Sequence, residues 1–248
     1  MRPALLNRAR IEASIALAKI VFRTFQVNLP PYAYWTAPEW DSVGPECDEV
    51  RDCMLGWDVT DFGSKDFEHI GRTLFTLRNG NLHDSRYPKN YAEKLILDPE
   101  GQRAPAHFHR TKREDIINRG GGNILVQLTR VDEADRPAKG QLGIGVNGCL
   151  RAIASGETIR LTPGESLCIP PRTIHQFWGE ENTGHRIDGV GYTVSGEVSS
   201  VCDDLKDNFF FDDLTRFPQI VEDAPRLHYL CNEYPRAAAR LSGLEQPL

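Results

Sequence analysis

Residues 101–120, which read GQRAPAHFHRTKREDIINRG, decide the fold of this chain. His107 and His109 stand at alternate positions, and on a β-strand this spacing places both imidazole rings on one face. Glu114 follows five residues after His109, so a carboxylate lies close to the two rings in sequence. A His-x-His pair can be part of a metal site, but taken alone it is more often the exposed polar face of a strand.

A second stretch supplies a third imidazole. Residues 163–178 read PGESLCIPPRTIHQFW, with Gly164 and Pro170 six positions apart and His175 five positions further on. If these imidazoles and the carboxylate of Glu114 converge inside a β-barrel, they form half a cage for a divalent cation and leave room for further oxygen ligands.

Short β-like runs separated by turn residues fill the middle of the chain. Asn147-Gly148 lies between two of them and predicts a hairpin, because both residues tolerate the positive φ of a type I′ turn. Many short strands at this spacing are typical of a sandwich or a barrel. The runs are residues 74–77, 94–97, 123–131, 142–146, 150–154, 158–161, 166–169 and 190–194.

The two ends of the chain lack the short β-like runs of the middle. Ile11, Ile15, Ala18 and Phe22 repeat at steps of three and four, which predicts a helix with one apolar face. Residues 1–70 are therefore predicted to form a helix and an aromatic arm, residues 71–202 the barrel, and residues 203–248 a C-terminal extension packed on it. The exposed aromatic side chains expected in the arm favour a homodimer or a higher homo-oligomer, which would cover them.

Composition restricts the partners of this 248-residue chain. Its 29 Lys and Arg against 35 Asp and Glu give a net charge of −6, which argues against a nucleic-acid surface. No apolar stretch near the start is long enough to span a membrane or fits a secretion signal. The six cysteines show no CxxC spacing and are expected to be reduced thiols, so the chain is expected to be soluble and cytoplasmic.

The two histidine motifs resemble those of the cupin superfamily, and longer segments resemble D-lyxose isomerases. The resemblance implies a mainly β protein, a single cupin (jelly-roll-like) β-barrel, with His107, His109, Glu114 and His175 as metal ligands. The chain departs from the family pattern in residues 182–194, a stretch that is longer than expected. The segments that carry the resemblance are residues 55–63, 74–80, 91–94, 112–122, 163–171, 196–201 and 230–234.

The resemblance further implies an aldose–ketose isomerase that interconverts D-lyxose and D-xylulose, and also D-mannose and D-fructose. Such a reaction moves a proton between C1 and C2 of the open-chain sugar, so it needs a base, an acid and a stabilised oxyanion. Glu197 is the candidate base and Lys112 the candidate proton donor, with Lys94, Asp204 and Phe177 as candidate substrate contacts. The metal would act as a Lewis acid, and Mn²⁺ suits the ligands best, with Co²⁺ or Zn²⁺ as alternatives.

Other functions fit parts of the same pattern. An L-ribose isomerase would use a similar cupin site and differ only in the configuration of the sugar. An iron-dependent cupin dioxygenase would share the four ligands but would gain little from Lys112 and Glu197. A non-catalytic sugar-binding cupin would need neither residue.

Overall fold

The computed structural model describes residues 5–203, 206–211 and 214–237 and shows two curled antiparallel sheets. The strands are β1 (Gly56–Thr60), β2 (Arg72–Arg78), β3 (Tyr91–Pro99), β4 (His107–Phe108), β5 (Glu114–Gly120), β6 (Ile124–Val131), β7 (Pro137–Ala138), β8 (Gln141–Val146), β9 (Cys149–Ala154), β10 (Glu157–Leu161), β11 (Ser166–Ile169), β12 (Thr173–Gly179), β13 (His185–Ile187), β14 (Val190–Ser200) and β15 (Phe209–Phe210).

The larger sheet has the order β1-β2-β3-β14-β5-β11-β8-β9, with β13 beside β14. The smaller sheet has the order β10-β6-β12-β4-β15, with β7 beside β6. The predicted mainly β barrel is confirmed.

Side-chain alternation along the strands separates the barrel interior from an outer layer. On β3, Lys94 and Ile96 face the interior, whereas Leu95 and Leu97 pack on the outer side. The interior holds an apolar core next to the polar side chains of the site, and Leu74, Ile96 and Phe177 belong to both. One strand thus serves two cores, because successive Cβ atoms point to opposite faces.

The predicted N-terminal helix is confirmed as α1 (Arg8–Thr24), which covers the outer face of the larger sheet. Asn7 caps it by accepting a hydrogen bond from the Arg10 amide at 2.9 Å. The helix ends before the prolines at positions 30 and 31, because Gln26 takes a left-handed conformation with φ 56°. Two short α-helices follow, α2 (Ala37–Ser42) and α3 (Asp48–Asp52), with 3-10 turns at Pro31–Tyr34 and Pro45–Cys47.

Part of the predicted arm belongs to the barrel itself. β1 comes from the stretch assigned to the arm, yet it is the edge strand of the larger sheet. Trp40 and Trp57 are each 2% exposed, so the chain itself covers these rings. The three-part division of the chain and the oligomer stay predictions.

The hairpin, the cysteines and the helices can also be compared with what the sequence predicts. Asn147 and Gly148 both have positive φ, 51° and 77°, and join β8 to β9 as the hairpin prediction requires. The six cysteines, all within the described residues, are free thiols. No helix in the described part of the chain has the length and apolarity needed to cross a membrane.

Candidate active site

The three predicted histidine ligands meet at one mouth of the barrel. The two-residue strand β4 pairs with β12 so that His107 lies opposite His175, and His109 follows directly after β4. One ring nitrogen from each residue lies within 4.8 Å of the other two. His109 and His175 are buried, and His107 is half-buried.

The main chain fixes the orientation of all three rings. Each Nδ1 donates a hydrogen bond to a backbone carbonyl: His107 to Pro105 (2.8 Å), His109 to Asp207 (2.7 Å) and His175 to Thr173 (3.0 Å). A carbonyl can only accept, so the hydrogen is on Nδ1 and the lone pair is on Nε2. Burial, followed by the charge of Lys112, lowers the pKa of His109 to about 4, so this ring is neutral at pH 7. Neutral imidazoles held in this way are typical of metal ligands.

Glu114 brings a carboxylate against two of these nitrogens. Its Oε1 lies 2.7 Å from Nε2 of His175, and its Oε2 lies 3.7 Å from Nε2 of His109. Among the described residues, the buried Oε1 of Glu114 and Nε2 of His109 have no hydrogen-bond partner. Because lone pairs face one another and buried polar atoms are normally paired, this arrangement fits a cation bound between them.

The charge on Glu114 also suits a metal ligand. Burial by itself would raise the pKa of this carboxyl, but the ammonium of Lys112 together with the contacts of His175 and His109 outweighs burial and holds the pKa well below its usual value. The group is therefore ionised. Three imidazoles and one carboxylate form a ligand set that suits Mn²⁺, Fe²⁺, Co²⁺ or Zn²⁺.

Lys112 joins the ligand cluster to the candidate base. Its Nζ lies 2.6 Å from Oε2 of Glu114 and 2.9 Å from Oε1 of Glu197, and its side chain is 5% exposed. Lys112 is therefore a buried residue of the site and not a solvated loop residue. Its two carboxylate partners come from β5 and β14, adjacent strands of the larger sheet.

Glu197 is a buried and ionised carboxylate. It lies opposite Lys94 in the pairing of β14 with β3, and Nζ of Lys94 is 3.8 Å from its Oε1. Ser199 donates a hydrogen bond to the same oxygen at 3.1 Å. Burial by itself would raise the pKa of Glu197, but the charges of Lys112 and Lys94 lower it overall. The carboxylate can therefore accept a proton.

These groups line a cavity that opens at the barrel mouth. Its lining contains the four predicted metal ligands together with Lys112, Glu197, Lys94 and Phe177. The ring of Phe177 stacks on the guanidinium of Arg72, whose Cζ lies 4.2 Å from the ring centroid. The candidate contact Asp204 lies outside the described residues.

Sequence reasoning missed eight residues of the cavity wall. Phe210 lies on β15, with its ring centroid 5.5 Å from that of His107, and its ring packs edge-on against Phe62. The run of three phenylalanines around position 210 was a visible signal, but nothing in its spacing connects it to a histidine motif about a hundred residues earlier. The missed residues are Phe62, Arg72, Leu74, Ile96, Ala104, Asn208, Phe210 and Arg216.

Structures with a similar fold are L-ribose isomerases. That of Cellulomonas parahominis aligns with a TM-score of 0.58 and 16% identity, over 90% of this chain and 99% of that one. That of Geodermatophilus obscurus aligns with a TM-score of 0.59 and 16% identity, over 90% of this chain and all of that one. At this level of identity the likeness concerns the fold alone, and it agrees with the expected cupin barrel.

Sequence comparison identifies the family. The chain matches the D-lyxose isomerase family over residues 6–234. It is 44% identical to a D-lyxose/D-mannose isomerase of Serratia proteamaculans over 240 residues, which are 96% of this chain and 100% of that protein. It is 42% identical to a D-lyxose/D-mannose isomerase of Escherichia coli O157:H7 over 230 residues, which are 92% of this chain and 98% of the other. The chain therefore belongs to the D-lyxose isomerase family and is an aldose–ketose isomerase of sugars.

Proposed function

We propose that this enzyme interconverts D-lyxose and D-xylulose, and also D-mannose and D-fructose, with a bound divalent metal ion. One observation carries the proposal: a buried Lys112–Glu197 pair contacts Glu114, whose carboxylate lies beside a cluster of three histidines at the mouth of the barrel. The substrate class is inferred from the names of the relatives at 42–44% identity.

His107, His109, Glu114 and His175 would hold the ion. The orphaned buried Nε2 of His109 and Oε1 of Glu114 support this assignment. Mn²⁺ is the proposed ion because it accepts both imidazole and oxygen ligands, with Co²⁺ or Zn²⁺ as alternatives. When bound, the ion supplies a Lewis acid that polarises the carbonyl of the open-chain sugar.

Glu197 acts as the base. In the aldose-to-ketose direction its carboxylate takes the proton from C2, and the resulting carboxylic acid returns a proton to C1, so no proton is gained or lost. Lys112 gives a proton to O1, which becomes a hydroxyl, and takes one from O2, which becomes the carbonyl oxygen, so the lysine ends in its starting state. Lys94 helps to hold Glu197 ionised. Because all three side chains are buried, water is kept away from the proton while it is held by the enzyme.

The acid–base pair also separates this proposal from its competitors. A dioxygenase would use the four ligands without a lysine joined to a carboxylate, and a binding protein would need no buried base. An L-ribose isomerase would use the same groups, and the shared fold does not exclude it. We also propose a homodimer or a higher homo-oligomer, for which a monomer in light scattering at micromolar concentration would be contrary evidence.

A sugar panel tests the proposal. Purified enzyme is stripped with a chelator, reloaded with Mn²⁺, Co²⁺ or Zn²⁺, and assayed with D-lyxose, D-mannose and L-ribose while oxygen is monitored. We expect activity to vanish without metal and to return with it, highest on D-lyxose or D-mannose and without oxygen uptake. Preference for L-ribose, full activity of the stripped enzyme or oxygen consumption would each contradict the proposal.

A further inference from the structure

We propose that Asp207 is the positioning residue of the metal centre, because it fixes the loop that carries His109 and Lys112. This residue lies in the C-terminal segment, about a hundred positions from the histidine motif that it contacts. The inference rests on the metal centre proposed above and assigns a role to a residue that does not itself ligate the ion.

The carboxylate of Asp207 binds the main chain of residues 110–112. Its Oδ1 accepts the amide of Arg110 at 2.9 Å, and its Oδ2 accepts the amide of Lys112 at 3.0 Å. The amide and the hydroxyl of Thr111 also donate to it, the hydroxyl at 2.9 Å. Successive amides aimed at one carboxylate form a concave anion site, and charge-assisted bonds of this kind are stronger than neutral ones.

The main chain of Asp207 acts on the ligand itself. Its carbonyl accepts the Nδ1 hydrogen of His109 at 2.7 Å, and this bond leaves Nε2 free to face the metal. Because the carboxylate holds the loop on one side and the carbonyl orients the ring on the other, a single residue sets both the position and the tautomer of His109.

The same segment reaches a second ligand. β15 begins two residues after Asp207 and pairs with β4, with Phe210 opposite His107. Asp207 is therefore the point at which the C-terminal segment joins the first histidine motif. Substitution of Asp207 removes the carboxylate and leaves the main-chain carbonyl of this residue. Without the bonds of the carboxylate to the loop, that carbonyl is free to move away from His109.

Asp135 provides a matched control. Its carboxylate also binds this loop, but through the side chain of Arg110 at 2.6 Å and not through the amides. Removing the charge of Asp135 therefore loosens two surface ion pairs, with Arg110 and with Arg172, without releasing the main chain of the loop. Such exposed pairs contribute little to stability.

The test measures metal affinity by competition with a chelator, and the absorption spectrum of the Co²⁺-loaded protein, for Asp207→Ala, Asp207→Asn and Asp135→Asn. Loss of an outer partner of a metal ligand typically weakens binding about 10–100-fold, which is the expected result for Asp207→Ala. We expect Asp207→Asn to lose less, because its amide oxygen still accepts, and Asp135→Asn to match the wild type. The Co²⁺ spectrum should change only in the Asp207 variants, since only there does the ring of His109 turn.

A folded Asp207→Ala variant with wild-type affinity and spectrum would overturn the inference, as would an equal loss in Asp135→Asn. If Asp207→Ala does not fold, Asp207→Asn decides by the same two measurements. A wild-type protein that binds no metal would overturn the proposed metal centre and this role together, which distinguishes that failure from a variant that merely matches the wild type.

Discussion

Replacing Lys112 with methionine tests the electrostatic arrangement of the site. The lysine lies between Glu114 at 2.6 Å and Glu197 at 2.9 Å, and all three side chains are at most 8% exposed. Removing one partner of a buried ion pair costs about 3–5 kcal/mol, because the charge that remains is buried without compensation. For a domain of this size the expected fall in Tm of the metal-free protein is about 6–20 °C.

The loss of stability in Lys112→Met should depend on pH. Lys112 helps to hold the pKa of both carboxyls below their usual values in the folded protein. A lowered folded pKa stabilises the protein above the unfolded pKa of about 4.3, and that stabilisation is lost as the pH falls through the lower folded value. The difference in unfolding free energy between wild type and Lys112→Met should therefore be large at pH 7 and shrink below about pH 4.

The affinity for the metal ion should not fall with the stability in Lys112→Met. The ammonium repels a cation at the neighbouring ligands, so Lys112→Met should bind Mn²⁺ at least as tightly as the wild type while losing most of its kcat. Thermal melts with chelator and with Mn²⁺, together with kcat on D-lyxose, measure these effects. Lys89→Met is the control, because Lys89 pairs with Glu49 at the surface and such pairs contribute about 0–1 kcal/mol. An unchanged Tm and kcat in Lys112→Met would refute the reasoning.

Further predictions concern the ligands and the C-terminal segment. His109→Ala and His175→Ala should lose bound metal and activity together. His185→Ala should keep both, since His185 packs against a phenylalanine away from the cluster. The metal content and the activity of the purified variants test this prediction. Hydrogen bonds from Arg8 lower the pKa of Glu222 to about 2, so this pair should stabilise the fold above about pH 4.3 and lose its effect as the pH falls toward 2. Urea unfolding of wild type and Glu222→Gln should converge over that range, and a constant difference would contradict the assignment.

The parts of the site that sequence predicted depend on short-range geometry. The alternate spacing of His107 and His109 fixes one face of a strand, and the turn residues Asn147-Gly148 fix the register of a hairpin. These signals lie within a few residues of the features they predict.

The remaining parts depend on contacts between distant segments. Lys112 follows a turn-like stretch and resembles a solvated residue until Glu197, 85 positions later, is placed beside it. Asp207 and Phe210 approach the histidines only because β15 pairs with β4. Arg72, on β2 of the larger sheet, lines the cavity and donates a hydrogen bond to the carbonyl of Phe177 on β12 of the smaller sheet. No local pattern reports such tertiary contacts.

The kcat of metal-loaded Glu197→Gln on D-lyxose tests the central claim most directly. Glutamine keeps the size of the side chain and its hydrogen bond with Ser199 but cannot take a proton, so the variant should retain its metal and still bind sugar. Loss of a general base typically lowers the rate about 10²–10⁴-fold, and this is the expected fall in kcat. A Glu197→Gln variant that holds its metal and turns over D-lyxose at the wild-type kcat would contradict the account.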